Sequence, residues 1–177
     1  MSTIRRSMVD RMKGAAMLEV GVYEEVEADT TATSQAAGVV AIVAVCSAIG
    51  SWNAGLSGMI GGLIGAFIAW LIWAGVTYLI GDKVLGGTAT WGELLRTLGF
   101  AQSPGVLYIL AFIPLLGWVV RFGVAVWVLV AGVIAIRQAL DFSTGKAVLT
   151  AVLGWVAMVI LGVLVGGLFG GFAWAAS

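Results

Sequence analysis

Residues 118–174 read "WVVRFGVAVWVLVAGVIAIRQALDFSTGKAVLTAVLGWVAMVILGVLVGGLFGGFAW". Two long apolar runs, 118–140 and 147–174, flank a short polar connection from Asp141 to Lys146. A helix needs about 20 apolar residues to cross a ~30 Å hydrocarbon core, and each run has them. The second gives ~42 Å of helix, so it must tilt, kink or protrude. Upstream, three more apolar runs cover roughly 36–52, 59–81 and 98–112. The chain therefore reads as an all-α integral membrane protein. Five transmembrane helices (residues 36–177) follow a cytoplasmic amphipathic and acidic N-terminal segment (residues 1–35).

Composition agrees. The chain is 61% apolar and 10% charged, against about 45–50% and 25% for soluble domains. Charge placement sets the orientation. With the N-terminus inside, Arg5, Arg6, Arg11, Lys13, Lys83, Arg96, Arg137 and Lys146 are all cytoplasmic, and Arg121 alone is not. Lys and Arg bias in short loops decides topology. The expected location is the cytoplasmic membrane, with the N-terminus inside and the C-terminus outside.

The first 35 residues delay the long apolar run too far for a cleavable signal peptide. Ile4, Met8, Met12 and Ala15 recur at helical spacing, apart from Arg5, Arg6, Asp10 and Lys13. Such a helix either lies on the membrane, with Arg5, Arg6, Arg11 and Lys13 meeting lipid headgroups, or packs on the cytoplasmic ends of the spans. Asp29, Thr30 or Thr31 can cap the first span, and Thr90 with Glu93 can form a capping box. "AFIPLLGW" reads as a tight outer turn in which Pro114 stops a helix and Gly117 permits reversal.

Gly58 with Gly62, and Gly61 with Gly65, form small-xxx-small seams in the second span. Gly162, Gly166, Gly170, Gly167 and Gly171 do so in the fifth. These let backbones approach closely, either inside the bundle or against a partner helix. Trp52, Trp91, Trp118 and Trp174 fall near interfaces, while Trp70, Trp73, Trp127 and Trp155 lie deeper. The deeper set either fills the core or lines a cleft for a lipid tail, quinone or pigment.

Several function classes are excluded. Net charge is zero and there is no histidine, which removes a global field for nucleic acid and the usual acid/base and metal-binding side chain. One cysteine, Cys46, gives no intrachain disulfide. No catalytic, cofactor or metal constellation appears, and an enzyme is not expected. Arg137 and Asp141 read as an ordinary i,i+4 pair, and Arg121 as a side chain reaching outer headgroups. Asp141 or Ser143 can cap the last helix around Thr144, Gly145 and Lys146.

Specific strings now matter. "YEEVEADTTATSQA" precedes the first span and "GELLRTLGFAQSPGVL" leads into the third. "IPLLG" makes the outer turn with Pro114, and "AIRQALDFSTGKAVLTAVLGW" joins the last two. The pattern Arg96, Gly99, Phe100, Ala101 and Pro104, with Arg137, Ala139, Leu140, Asp141, Thr144, Gly145, Lys146 and Ala147, resembles the Yip-one domain family. These are the Ypt/Rab-interacting proteins and their prokaryotic relatives. The resemblance spans about residues 18–175. It implies five spans and a cytoplasmic N-terminus, and the chain looks like the short prokaryotic type. Eukaryotic members carry Asp-Leu-x-Gly-Pro and Gly-Tyr-x-x-Pro motifs in a longer N-terminal region. Neither occurs here, so a Rab-type GTPase is not expected as a partner. The expected role is a non-enzymatic scaffold, membrane organiser or accessory subunit, with lipid and other membrane subunits or self as partners. The alternative is a small transporter or a lipid- or hydrophobic-ligand-handling protein.

Overall fold

The computed structural model of the chain describes residues 6–51 and 55–175, with side chains through Leu164. It is built from helices α1 (Met8–Ala16), α2 (Val20–Ala28), α3 (Ala32–Gly50), α4 (Gly55–Tyr78), α5 (Trp91–Ala101), α6 (Gly117–Ala139) and α7 (Thr144–Ala175). A π-helical turn, Leu79–Val84, prolongs α4, and a 3-10 segment, Ser103–Phe112, follows α5. Among the described residues, four helices are long and apolar enough to cross a membrane: Ala32–Gly50, Gly55–Val84, Gly117–Ala139 and Thr144–Leu164.

The run at 98–112 is the departure. It is not one helix. A helix starts earlier, at Trp91, where Thr90 Oγ1 accepts from Glu93 N and Glu93 Oε2 accepts from Thr90 N. This is the expected capping box. That helix stops at Ala101, because Pro104 has no N–H to donate and enters the first turn of the 3-10 segment. The tighter coil rises about 2.0 Å per residue against 1.5 Å for an α-helix. Its ten residues therefore reach ~20 Å, and α5 with the 3-10 segment runs from the α2 end of the bundle to the far end of α3.

This broken segment is the central pillar. Every residue of α5 from Leu94 to Ala101 is buried, as neighbouring α3, α6, α4 and α2 surround it. Glycine makes the contact with α3 close. A Cβ on Gly99 would lie 2.7 Å from Ala36 Cβ, and one on Gly50 only 2.0 Å from the Tyr108 carbonyl oxygen. Leu140 nests against Gly81 and Gly87, where a Cβ would lie 2.3 and 2.5 Å from its methyl carbons.

The outer turn reverses differently from the expectation. The left-handed residue is Leu115, with φ 66°. Gly117 begins α6 with its Cβ position 2.3 Å from the Ala111 carbonyl oxygen, so it is required for close approach and not for reversal. At the other end of α6, Asp141 also adopts a left-handed φ of 53°, a conformation Asp tolerates better than most residues. The i,i+4 pair with Arg137 does not form. Asp141 instead accepts from Thr88 Oγ1 at 2.9 Å, while Arg137 donates to Gln138 Oε1 and Thr144 Oγ1. Ser143 precedes α7, and its carbonyl accepts from Ala147 N. Gly145 lies in the first turn of α7 with open space where a Cβ would go, so nothing around it demands glycine.

Candidate functional site

Helix ends in an apolar medium need partners. The last carbonyls of a helix have no intrahelical donor, and hydrocarbon supplies no water. In this chain four consecutive helices end on carbonyls taken by side chains from elsewhere. For α1, Ala15 O accepts from Tyr23 Oη at 2.9 Å and Ala16 O from Trp127 Nε1 at 2.8 Å. For α2, Arg96 Nε donates to Val26 O at 2.9 Å and Glu27 O at 3.1 Å, and its Nη2 also donates to Glu27 O. For α3, Arg121 Nη2 donates to Gly50 O and Ser51 Oγ, both at 3.0 Å. For α4, Lys146 Nζ donates to Leu85 O at 3.3 Å, just past the π turn. A cation at a helix C-terminus also complements the helix dipole. Arg121, expected to reach headgroups only, is thus engaged with the end of α3.

The basic N-terminal residues divide in the same way. Arg5 lies outside the described residues. Arg6 pairs with Glu19 at 3.1 Å and Glu25 at 3.6 Å, and Lys13 is exposed. Arg11 is 1% exposed, which removes it from any lipid-facing set. Its Nε and Nη2 bind Glu25 Oε1 at 3.0 and 2.8 Å, Nη2 also binds Asp29 Oδ2 at 2.8 Å, and Nη1 binds Gln35 Oε1 at 2.9 Å. Arg11 thereby ties α1 to the end of α2 and the start of α3. The apolar residues of α1 follow it inward: Ala15 is buried, Met8 and Met12 pack on the core, and Met8 Cε reaches Gly38. Of the two sequence readings, the structure places this helix on the bundle.

Glu27 stands beside the Arg96 contact, and its carboxyl is pushed up to about 7, chiefly by burial and then by Glu93 and Asp141, against an opposing pull from Arg96. A carboxyl raised from 4.5 in this way binds its proton more tightly in the folded state. Its contribution to stability is full at low pH and is lost as pH rises through about 7. Melting temperature measured from pH 4 to 8 should therefore fall across that window, and Glu27→Gln should flatten this part of the profile. An unchanged profile in the variant would remove Glu27 as the cause.

Between α3, α4, the 3-10 segment, α6 and α7 lies a cleft of about 380 Å³, lined by Trp70, Trp73 and Trp155 with Gly132, Ala151 and Met158. Three of the four deep tryptophans are brought together here. Trp127 is not, being bound to the end of α1. The cleft is apolar apart from Gln102 and Tyr108; Tyr108 stands out in the sequence as one of the few polar residues at membrane depth, and Gln102 does not. The only signal for Gln102 was its place beside the Pro104 break.

The glycine seams separate too. Gly58 and Gly62 line a second hollow of about 260 Å³ that adjoins the cleft. Gly61, Gly65 and Gly162 have no atom within 4 Å of their Cβ positions. Among the described residues these three glycines make no close contact, unlike Gly50, Gly99 and Gly105. Gly166, Gly167, Gly170 and Gly171 lie where side-chain surroundings are outside the described residues.

The Yip1 domain family model matches residues 28–167, from the last residue of α2 into α7. No curated protein and no solved structure matches the chain. The match includes Arg96, Gly99, Pro104, Pro114, Arg137, Asp141, Gly145 and Lys146, so the capping arginine of α2, the broken pillar and the α6–α7 connection all fall inside it. With several apolar helices of membrane-crossing length, this chain is a multi-pass membrane protein that belongs to the Yip1 domain family.

Proposed function

We propose that the protein is a non-enzymatic scaffold or accessory subunit of the cytoplasmic membrane that offers a lateral helix face to a partner subunit or a second copy. Its main support is the outward seam on α4. Gly61 and Gly65 meet nothing among the described residues, whereas Gly50, Gly99 and Gly105 are in tight contact. Small residues on an open face let another helix approach where lipid gives no hydrophobic drive to associate. The polar groups meanwhile serve the fold: Arg11, Arg96, Arg121 and Lys146 hold helix ends together. We take the pillar, α5 with the 3-10 segment, as the fifth crossing, with the N-terminus cytoplasmic.

Mild-detergent purification followed by mass spectrometry tests the role. Gly61→Ile with Gly65→Ile should release a copurifying subunit, or dissociate the oligomer, while leaving the melting temperature unchanged. Retention of every partner by the double variant would defeat the reading. Cysteine labelling at positions 2, 88 and 143 against 116 and 177 tests the topology. A cytoplasmic signal at 177 would require an even number of crossings.

A further inference from the structure

The cleft and the hollow beside it form one path of changing polarity. They share Val43, Ala66, Gln102 and Tyr108 as walls. The hollow is lined by Ser47 and Ser51 near the end of α3, and the cleft by Trp70, Trp73 and Trp155. At its polar mouth stands Arg121, exposed, with Nη2 3.0 Å from Ser51 Oγ. Arg121 makes no ion pair among the described residues. A guanidinium has five N–H donors, and the bonds to Gly50 and Ser51 both come from Nη2. The mouth thus offers a cation without a counter-charge, and the interior offers an apolar wall.

We propose that this path is an anionic phospholipid site: the headgroup phosphate lies at Arg121 and Ser51, and one acyl chain passes Gln102 and Tyr108 into the tryptophan-lined cleft. The path is long enough: from Gly58 to Trp73, α4 advances ~22 Å, about one and a half leaflets of a ~30 Å core. The cleft volume, about 380 Å³, lies within the 300–1,000 Å³ usual for ligand sites. The glycines at Gly58 and Gly62 leave the entrance open, since larger side chains there would point into the hollow. This site goes beyond the scaffold role and depends on no part of it, because a partner face on Gly61 and Gly65 works with the cleft full or empty.

The test uses the full chain in phosphatidylcholine vesicles doped with phosphatidylglycerol that carries a photoactivatable diazirine at the end of one acyl chain. After illumination, mass spectrometry should find adducts on Trp70, Trp73 or Met158, the less exposed residues of the cleft wall, that saturate as the probe increases. Gly62→Leu should abolish them; nothing lies within 4 Å of that Cβ position, so the variant is expected to fold, and Ala66→Phe blocks the path independently. Arg121→Gln should weaken labelling about tenfold, the equivalent of losing one charge-assisted hydrogen bond, and Arg121→Lys should recover most of it. Adducts confined to outward residues such as Ile64, Ile68 and Val163, rising in proportion to probe, would overturn the site. So would equal labelling by a phosphatidylcholine probe, or protein–protein adducts showing a neighbouring helix in the cleft. Release of partners by the Gly61 and Gly65 variants with cleft labelling intact would separate the two functions.

Discussion

Replacing Arg11 by methionine is expected to destabilise the folded protein by about 3 kcal/mol, the low end of the range for breaking a buried ion pair. The side chain is 1% exposed and bridges three elements, through Glu25, Asp29 and Gln35. Methionine keeps much of the volume, so the cavity contribution is small. The loss comes from Glu25 and Asp29, which stand close together and lose their shared 2.8 Å cation, with side chains 28% and 14% exposed; Glu25 keeps the longer 3.6 Å contact to Arg6. Lysine restores charge but not the fork that spans Glu25 and Gln35, so Arg11→Lys should recover only part of the loss. Adding Glu25→Gln to Arg11→Met should also recover part, because one of the two neighbouring carboxylates is then neutral. Thermal melting of the purified protein measures all three, and protease access to the α1–α2 hairpin gives a second readout. Melting unchanged in Arg11→Met, with weaker binding to anionic vesicles, would return Arg11 to the membrane surface.

That outcome turns on information the sequence carries only in part. Charge placement and run length made the apolar helices legible, because bilayer thickness constrains length directly. The Thr90–Glu93 capping box was legible because its chemistry is local. Arg11 was not, since its partners Glu25, Asp29 and Gln35 lie 14, 18 and 24 residues away, beyond any single helix period. Arg96 and Arg121 were hidden for the same reason: they bond to backbone carbonyls 70 and 71 residues away, and a carbonyl leaves no mark in the residue alphabet. Glycine was legible only as spacing. Regular spacing drew notice to Gly61, Gly65 and Gly162, which meet nothing, while Gly50, Gly99 and Gly105 make the close contacts without such a repeat. Spacing reveals a helix face; which face is covered depends on the fold. The cleft was legible only as a choice between core and ligand site, because whether Trp70, Trp73 and Trp155 meet across the bundle depends on how α4 and α7 pack.

Gly50→Ala should therefore be among the most damaging single-methyl additions in the chain. The new Cβ would lie 2.0 Å from the Tyr108 carbonyl oxygen, 3.1 Å from its carbon and 3.3 Å from Ala111 Cβ. Backbone, unlike a flexible side chain, cannot swing aside. Tyr108 is held inside the 3-10 segment, and the Gly50 carbonyl is itself held by Arg121. Separating α3 from the pillar would break that cap, so the expected loss is about 3 kcal/mol, the top of the overpacking range. Gly99→Ala meets Ala36 Cβ at 2.7 Å and should cost less, as two helices can part slightly there. Gly105→Ala is crowded by Val43 Cγ1, at 2.6 Å, which can change rotamer, while the Tyr108 ring at 3.5 Å is in ordinary contact, and it should cost less again. Gly61→Ala meets nothing and should be neutral or stabilising, by up to ~1 kcal/mol of helix propensity. The order of melting temperatures, Gly50 lowest, then Gly99, Gly105 and Gly61, is the expected result. If Gly61→Ala proved as damaging as Gly50→Ala, the bundle would have to be closed by the α4 seam, and the broken pillar would lose its place as the element against which α3 is built.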